Sequence, residues 1–320
     1  SETAYGKNVW RLSPTKQIYY QFKPLLSRPV ITVLRKLYHL PHIDQDWFIE
    51  DRYVNFLWGV VDYLMSHSDE PRQFAPLWPD HKQFAFVLTH DIEEAAGQQL
   101  VTQLADIDEK FGFHSAFYFV PERYPLDYGL IDELKQRGFE VGIHGLKHDG
   151  KLFSSKQIFD ERVEKINYYI EKLGAVGFSA PFTHRNAVWL QKLNVEYDRS
   201  FFDIDLYEPM PGGVMSIWPY QLGKFIELPY TLLQDFTVTQ IMHESTSNLW
   251  FKKLQFIQKY HGMALLNSHP DYLRFATTKQ AYVEFLSRVS ELDDYWHALP
   301  REVASWWRGR SNRFKQNGNL

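Results

Sequence analysis

Two histidines four residues apart, His144 and His148, stand in the run Phe139-Glu-Val-Gly-Ile-His144-Gly-Leu-Lys-His148-Asp-Gly150, just after a short apolar stretch. Gly145 follows the first and Gly150 lies two residues past the second, so the run reads as a shaped loop in which both imidazoles can close on one metal ion. A second polar run, Thr89-His-Asp91-Ile-Glu93-Glu94, ends an earlier apolar stretch. Asp91 and Glu93 are two residues apart, so a backbone that stays extended through Ile92 aims both carboxylates to one side. One carboxylate then binds metal while the other takes a proton from water. The plainer alternative has Asp91 capping a following helix and Glu93 in solvent. Two neutral nitrogens with a hard oxygen suit a catalytic divalent cation. Gly145 occupies the position after His144, which excludes the His-Glu-x-x-His helix of zinc proteases.

Further runs at the ends of apolar stretches add candidates. Phe178-Ser-Ala-Pro181-Phe182-Thr-His-Arg185 sets a proline and an aromatic beside backbone N–H groups, a pocket wall with an oxyanion contact. His269, in Leu265-Leu-Asn-Ser-His269-Pro, is a general-acid candidate if it lies on the catalytic face. Asp198, Asp203 and Asp205 form a loose acidic group. One of them is a candidate partner for His269, with loop solvation the expected place of at least two. Trp306, Trp307, Arg308 and Arg310 make an aromatic–basic tail expected to pack on the domain.

These residues need a scaffold that gathers strand ends. Apolar runs predict strands over 84–88, 114–120, 139–143, 176–179, 224–228 and 263–267. Helical periodicity predicts helices over 97–111, 128–137, 187–193, 249–260 and 277–292, and one running from Ser154 or Ser155 to a stop at Gly174. Repeated β-then-α units imply a parallel sheet covered by helices, either open and doubly wound or closed into a barrel, with the active site at the strand C-termini. The chain before about residue 80 reads differently. Residues 17–40 mix aromatic, aliphatic and basic side chains, a helix is expected over 47–65, and Pro71, Pro76 and Pro79 mark a linker. The expected division is therefore a helical extension over 1–80 and a catalytic domain with a tail over 81–320.

Composition narrows the function classes. A net charge of −4 offers no basic field for nucleic acid, and the absence of cysteine excludes disulfides and thiolate metal sites. An aromatic content of 17% fits a surface that meets sugars, partners or a membrane interface. No apolar run nears the roughly 20 residues of a membrane-spanning helix, and the first residues lack a leader pattern, so a cytoplasmic location is expected.

Together these runs resemble the polysaccharide deacetylase family, also called the NodB-homology or carbohydrate esterase family 4 domain, over roughly residues 83–292 and in the family's order. Its usual Thr-Phe-Asp-Asp is similar to Thr89-His90-Asp91-Ile92-Glu93, closest to the branch that carries Asp-X-Asp. Its histidine pair is matched closely by Gly138 through His148, and more loosely its Arg-X-Pro-Tyr by Ser179-Ala-Pro181-Phe182 and its Leu-X-His by Leu266-Asn-Ser-His269. The resemblance implies a distorted (β/α) barrel, one divalent metal ion, zinc, and hydrolysis of an N- or O-acetyl group on a sugar of a cell-surface polysaccharide or its precursor. Carried over by position, Asp91 is the base; Glu93, His144 and His148 are the ligands, with Asp91 an alternative ligand; a backbone N–H near Phe182 holds the oxyanion; and His269 is the acid. Ser179 stands where many members carry arginine, and Arg185 is the candidate substitute. The Asp-X-Asp branch also implies an alternative, hydrolysis of a small cyclic amide, and the altered first motif a second, a glycan-binding domain without turnover. The expected partner is an acetylated carbohydrate; residues 17–40 are expected to pack as a helix over one end of the barrel, with contact to a membrane surface or glycolipid as the alternative. Oligomeric state is left open.

Overall fold

Phe84, Phe86 and Leu88 alternate with Ala85, Val87 and Thr89 along β1 (Phe84–Ile92), and every residue of the strand is buried. That period of two sends the large side chains outward, under helices, and the small ones inward. Asp91 falls on the inward set. The computed structural model describes residues 12–22, 46–67, 75–210 and 213–316, together with 26, 30, 33 and 34. Most of the basic–aromatic 17–40 segment, and Pro71 of the expected linker, lie outside the described residues.

The other strands are β2 (Ala116–Phe119), β3 (Glu140–His144), β4 (Gly177–Ser179), β5 (Tyr197–Asp198), β6 (Tyr220–Leu222), β7 (Phe225–Glu227), β8 (Met263–Ser268) and β9 (Tyr295–His297). They form one sheet in the order β6-β7-β5-β4-β3-β2-β1-β8, with β9 paired to the start of β1. Every pairing is parallel except the β6–β7 hairpin. After β7 the chain crosses to β8, where the Thr231 and Leu232 N–H groups both donate to the Leu265 carbonyl. The sheet is thus a half-barrel closed irregularly on that side, the distorted barrel expected from the sequence.

In chain order the described helices are α1 (Pro14–Phe22), α2 (Arg52–Ser66), α3 (Ala95–Gln98), α4 (Val101–Lys110), α5 (Tyr128–Gln136), α6 (Lys156–Leu173), α7 (Ala187–Leu190), α8 (Asn248–Lys259), α9 (Pro270–Leu273), α10 (Ala276–Ser290) and α11 (Pro300–Gln316). α6 starts and stops on the residues that predict it: the Ile158 N–H donates to Ser155 Oγ, and Gly174 closes the helix at φ 59°. The single helix expected over 97–111 is instead two, α3 and α4. Gly97 packs so tightly on Asp271 that a Cβ there would sit 2.5 Å from its carboxylate, a long-range contact that local periodicity does not encode.

Inside the sheet, Ala85, Val87, Ala116, Tyr118, Tyr197, Met263 and Leu265 form a second core. At the strand N-termini Trp78 and the α11 residues Val303 and Ala304 plug it. The aromatic tail belongs to that plug, with Trp306 Nε1 donating to Leu77 O at 2.9 Å. The opposite end, at the strand C-termini, is left open. No helix among the described residues is long and apolar enough to cross a membrane.

Candidate functional site

The end of β1 delivers Asp91 and, one residue past the strand, Glu93 to the same cleft. β3 ends on His144, and the chain then turns so sharply that Gly145 adopts φ 64° and His148 φ 51°. A side chain at Gly145 would collide with the Pro181 ring, its Cβ lying 2.5 Å from Pro181 Cγ. The turn folds His148 back beside His144, ring centroids 5.1 Å apart. Ligand atoms of Glu93, His144 and His148 all lie within 4.8 Å of one another.

This trio fits a divalent cation. His144 turns Nδ1 toward Ser179, 3.2 Å from both its carbonyl and its Oγ, which leaves Nε2 buried without a hydrogen-bond partner. His148 Nε2 is likewise buried and makes no hydrogen bond, although it lies 2.9 Å from Glu93 Oε1. Bonds of about 2.0–2.1 Å to a tetrahedral ion put ligand atoms roughly 3.3 Å apart, inside that spread. Burial pushes the His144 pKa down to about 4, so its ring is neutral, as a ligand must be. Burial acts to raise the Glu93 carboxyl, but His148, His269 and His144 together hold it well below its usual range.

Asp91 is buried beside the trio, its Oδ1 3.6 Å from His144 Nδ1. Arg199, one residue past β5, forms an ion pair with Asp91 Oδ1, and Asn267 Nδ2 donates to Oδ2 at 2.9 Å. Burial alone would raise the Asp91 pKa; Arg199, then His144 and His269, bring it below the ordinary value. The Arg199 guanidinium lies over the Tyr118 ring, 4.2 Å from its centroid. Arg185, the expected substitute for the family's arginine, goes elsewhere. It donates to Thr183 O at 2.9 Å and stacks on Phe201 and Phe202, buried behind the cleft wall rather than lining it.

His269 faces the cleft from the end of β8. Its Nδ1 lies 2.7 Å from Asp235 Oδ1, and its backbone N–H donates to Asp235 Oδ2 at 2.8 Å. Burial would lower the His269 pKa, but the Asp235 carboxylate outweighs it and the result is about 10, a protonated ring at neutral pH. The acidic group Asp198, Asp203 and Asp205 supplies no partner for His269, and all three are buried rather than solvated. Asp198 accepts from Ser200 Oγ, Asp203 pairs with Lys253 Nζ at 2.6 Å, and Asp205 accepts from the Tyr207 N–H.

The cleft encloses about 90 Å³ and is walled by Phe182, Tyr207, Glu208, Phe236 and Tyr272 around the charged groups. Phe182 lines it from a tight turn at φ 58°, whereas Pro181 packs behind that turn against Gly145. Arg199 and Asp235 were not legible as site residues. β5 has only two residues, and Asp235 starts a π-helical turn (Phe236–Ile241), so neither follows a run long enough to mark a strand end.

No family model and no curated protein matches the sequence. Solved structures do. A "putative polysaccharide deacetylase" from Mycobacterium smegmatis is 20% identical, with a TM-score of 0.58 over 76% of this chain and 96% of that one. A "probable Polysaccharide deacetylase" from Pseudomonas aeruginosa PAO1 is 16% identical, with a TM-score of 0.58 over 77% and 97%. Puue allantoinase is 15% identical, with a TM-score of 0.58 over 76% and 98%. The chain has the fold these proteins share.

Proposed function

Proceeding from the polysaccharide deacetylase fold, we propose that this protein is a metal-dependent hydrolase that removes an N- or O-linked acetyl group from a sugar of a cell-surface polysaccharide or its precursor. One observation carries the reading: two buried imidazole nitrogens without hydrogen bonds converge with Glu93, while an ion-paired Asp91 and a protonated His269 flank them. Glu93, His144 and His148 would hold the ion, and this nitrogen–oxygen set suits zinc. Bound there, zinc supplies Lewis-acid chemistry that acidifies water and polarises a carbonyl.

Asp91 accepts the proton of the attacking water, and its bonds from Arg199 and Asn267 keep the carboxylate ionised and aimed. Water oxygen adds to the acetyl carbonyl, and a backbone N–H beside Phe182 steadies the charge that develops on the carbonyl oxygen, worth about 3–4 kcal/mol for a well-placed donor. The C–N or C–O bond then breaks, His269 gives its proton to the leaving nitrogen or oxygen, and acetate departs. The chemistry is assigned to residues 81–320, with residues 1–80 as an extension.

A second reading, ring opening of a small cyclic amide, draws support from the likeness to Puue allantoinase. The aromatic side chains Phe182, Phe236 and Tyr272 along the cleft favour the sugar. Zinc- or cobalt-loaded protein should release acetate from at least one of N-acetylchito-oligosaccharides and O-acetylated xylo-oligosaccharides, and should turn over allantoin more slowly. Asp91→Asn should lower acetate release about 10³-fold with one metal per chain retained. Loss of the metal in that variant would make Asp91 a ligand. No acetate from any sugar would end the deacetylase reading.

A further inference from the structure

Glu208 lines the same cleft as Asp91, Glu93 and His269, yet the hydrolytic steps make no use of it. Each of its oxygens accepts one hydrogen bond, Oε2 from Thr183 Oγ1 at 2.7 Å and Oε1 from Gln234 Nε2 at 2.6 Å. A carboxylate offers about four acceptor positions, and the Tyr230 hydroxyl also faces this one, so at least one position remains for a ligand. Thr183 and Gln234 fix its orientation.

The rim loop that carries Glu208 is itself braced. Tyr207 meets the Trp47 ring edge-on, centroids 5.5 Å apart, and Lys16 Nζ of α1 donates to Pro209 O at 2.7 Å. Farther back, buried Lys253 ties Asp203 to the Phe48 carbonyl at 2.6 and 2.7 Å. Residues ahead of the barrel therefore hold one wall of the cleft in place. An acceptor fixed in this way costs a ligand little ordering.

We propose that Glu208 is a specificity-determining residue that accepts hydrogen bonds from hydroxyl groups of the acetylated sugar. The proposal rests on the hydrolase reading and narrows its substrate class. A carboxylate at this place draws hydroxyl donors, while Phe236 and Tyr272, 5.2 Å apart, line the cleft with aromatic surface for sugar C–H groups.

The test is calorimetric binding to the full zinc-loaded chain carrying Asp91→Asn, which holds the sugar with little hydrolysis and serves as the unaltered reference for Glu208. The probes are tri-N-acetylchitotriose and O-acetylated xylotriose, each against its counterpart with the free hydroxyls methylated. For at least one probe the hydroxylated sugar should bind tenfold or more tightly than the methylated one. In Glu208→Gln and Glu208→Met that preference should fall to threefold or less. Equal binding of both forms by the reference chain, or a preference that survives in either folded variant, overturns the proposal; the first comparison stands even if a variant fails to fold. Acetate release with a flat hydroxyl preference would sink the role of Glu208 and spare the hydrolase reading. A Glu208-dependent preference without acetate release would do the reverse.

Discussion

The cleft has two walls held by different means. On one, Glu93, His144 and His148 lie at or just beyond the ends of β1 and β3, so strand register sets their positions. On the other, Arg199, Glu208 and Asp235 sit in irregular chain between β5 and β8 and are held by ion pairs, aromatic faces and contacts with residues 16 and 47. The first wall is scaffold. The second is assembled from long-range pairing, and it tunes protonation and shapes the cleft. Changes on the first wall should therefore empty the metal site, and changes on the second should leave the metal bound and alter pH dependence or selectivity.

The largest expected effect comes from the first wall. His148→Ala removes one of the three ligands proposed above and should take metal content from one per chain to less than a tenth, with kcat/KM down by about 10³-fold or more. Elemental analysis of the purified variant checks it. A variant that keeps its full metal would place the ligands elsewhere and erase the distinction between the walls.

On the second wall, Asp235→Asn removes the charge that overcomes burial and holds His269 near 10. Without it the His269 pKa falls, so the high-pH limb of the kcat profile should move to lower pH. The rate at neutral pH should drop about 10²-fold as the acid loses its proton. Metal content should stay at one. An unmoved limb would deny His269 the role of acid.

The same division explains what the sequence made legible. His144 and His148 are visible because a five-residue buried strand ends on His144 and Gly145 and Gly150 mark the turn that follows. Glu93 is visible because it follows nine buried residues. Arg199 follows a two-residue strand, and its partner Asp91 is 108 positions away, so only the assembled fold pairs them. Arg185 was the natural guess by proximity to Pro181 and Phe182, but the chain turns after Thr183 and carries it into the aromatic pair Phe201 and Phe202. Asp198, Asp203 and Asp205 look solvated because acidic residues usually are; here Ser200, Lys253 and Tyr207 meet them inside the protein. The parallel sheet was legible from the alternation of strands and helices and the barrel only through the family resemblance, whereas β6 and β9, half-buried to exposed along their three residues, carry no buried apolar run to mark them.

The smallest expected effect lies beneath the second wall. Tyr118, which carries Arg199 on its ring, bonds Tyr197 at 2.6 Å, and Tyr197 donates to Glu140 Oε1 at 2.6 Å. Burial pushes the Glu140 carboxyl up to about 7, although Tyr197 and the Arg301 N–H pull the other way. The folded chain thus keeps this proton up to about pH 7, while the unfolded chain releases it above roughly 4.3. Stability from this group is full below pH 4.3 or so, declines as pH rises toward 7, and stays lower beyond, by about 1–3 kcal/mol. Glu140→Gln mimics the protonated form, so its melting temperature should fall less than that of the unaltered protein between pH 5 and 8. The fall should not vanish, because Asp198, raised to about 6 by burial, loses its proton over the same range. Parallel melting curves would show that Glu140 shares its proton equally in both states, and that the chain from Glu140 to Arg199 holds the wall by packing alone.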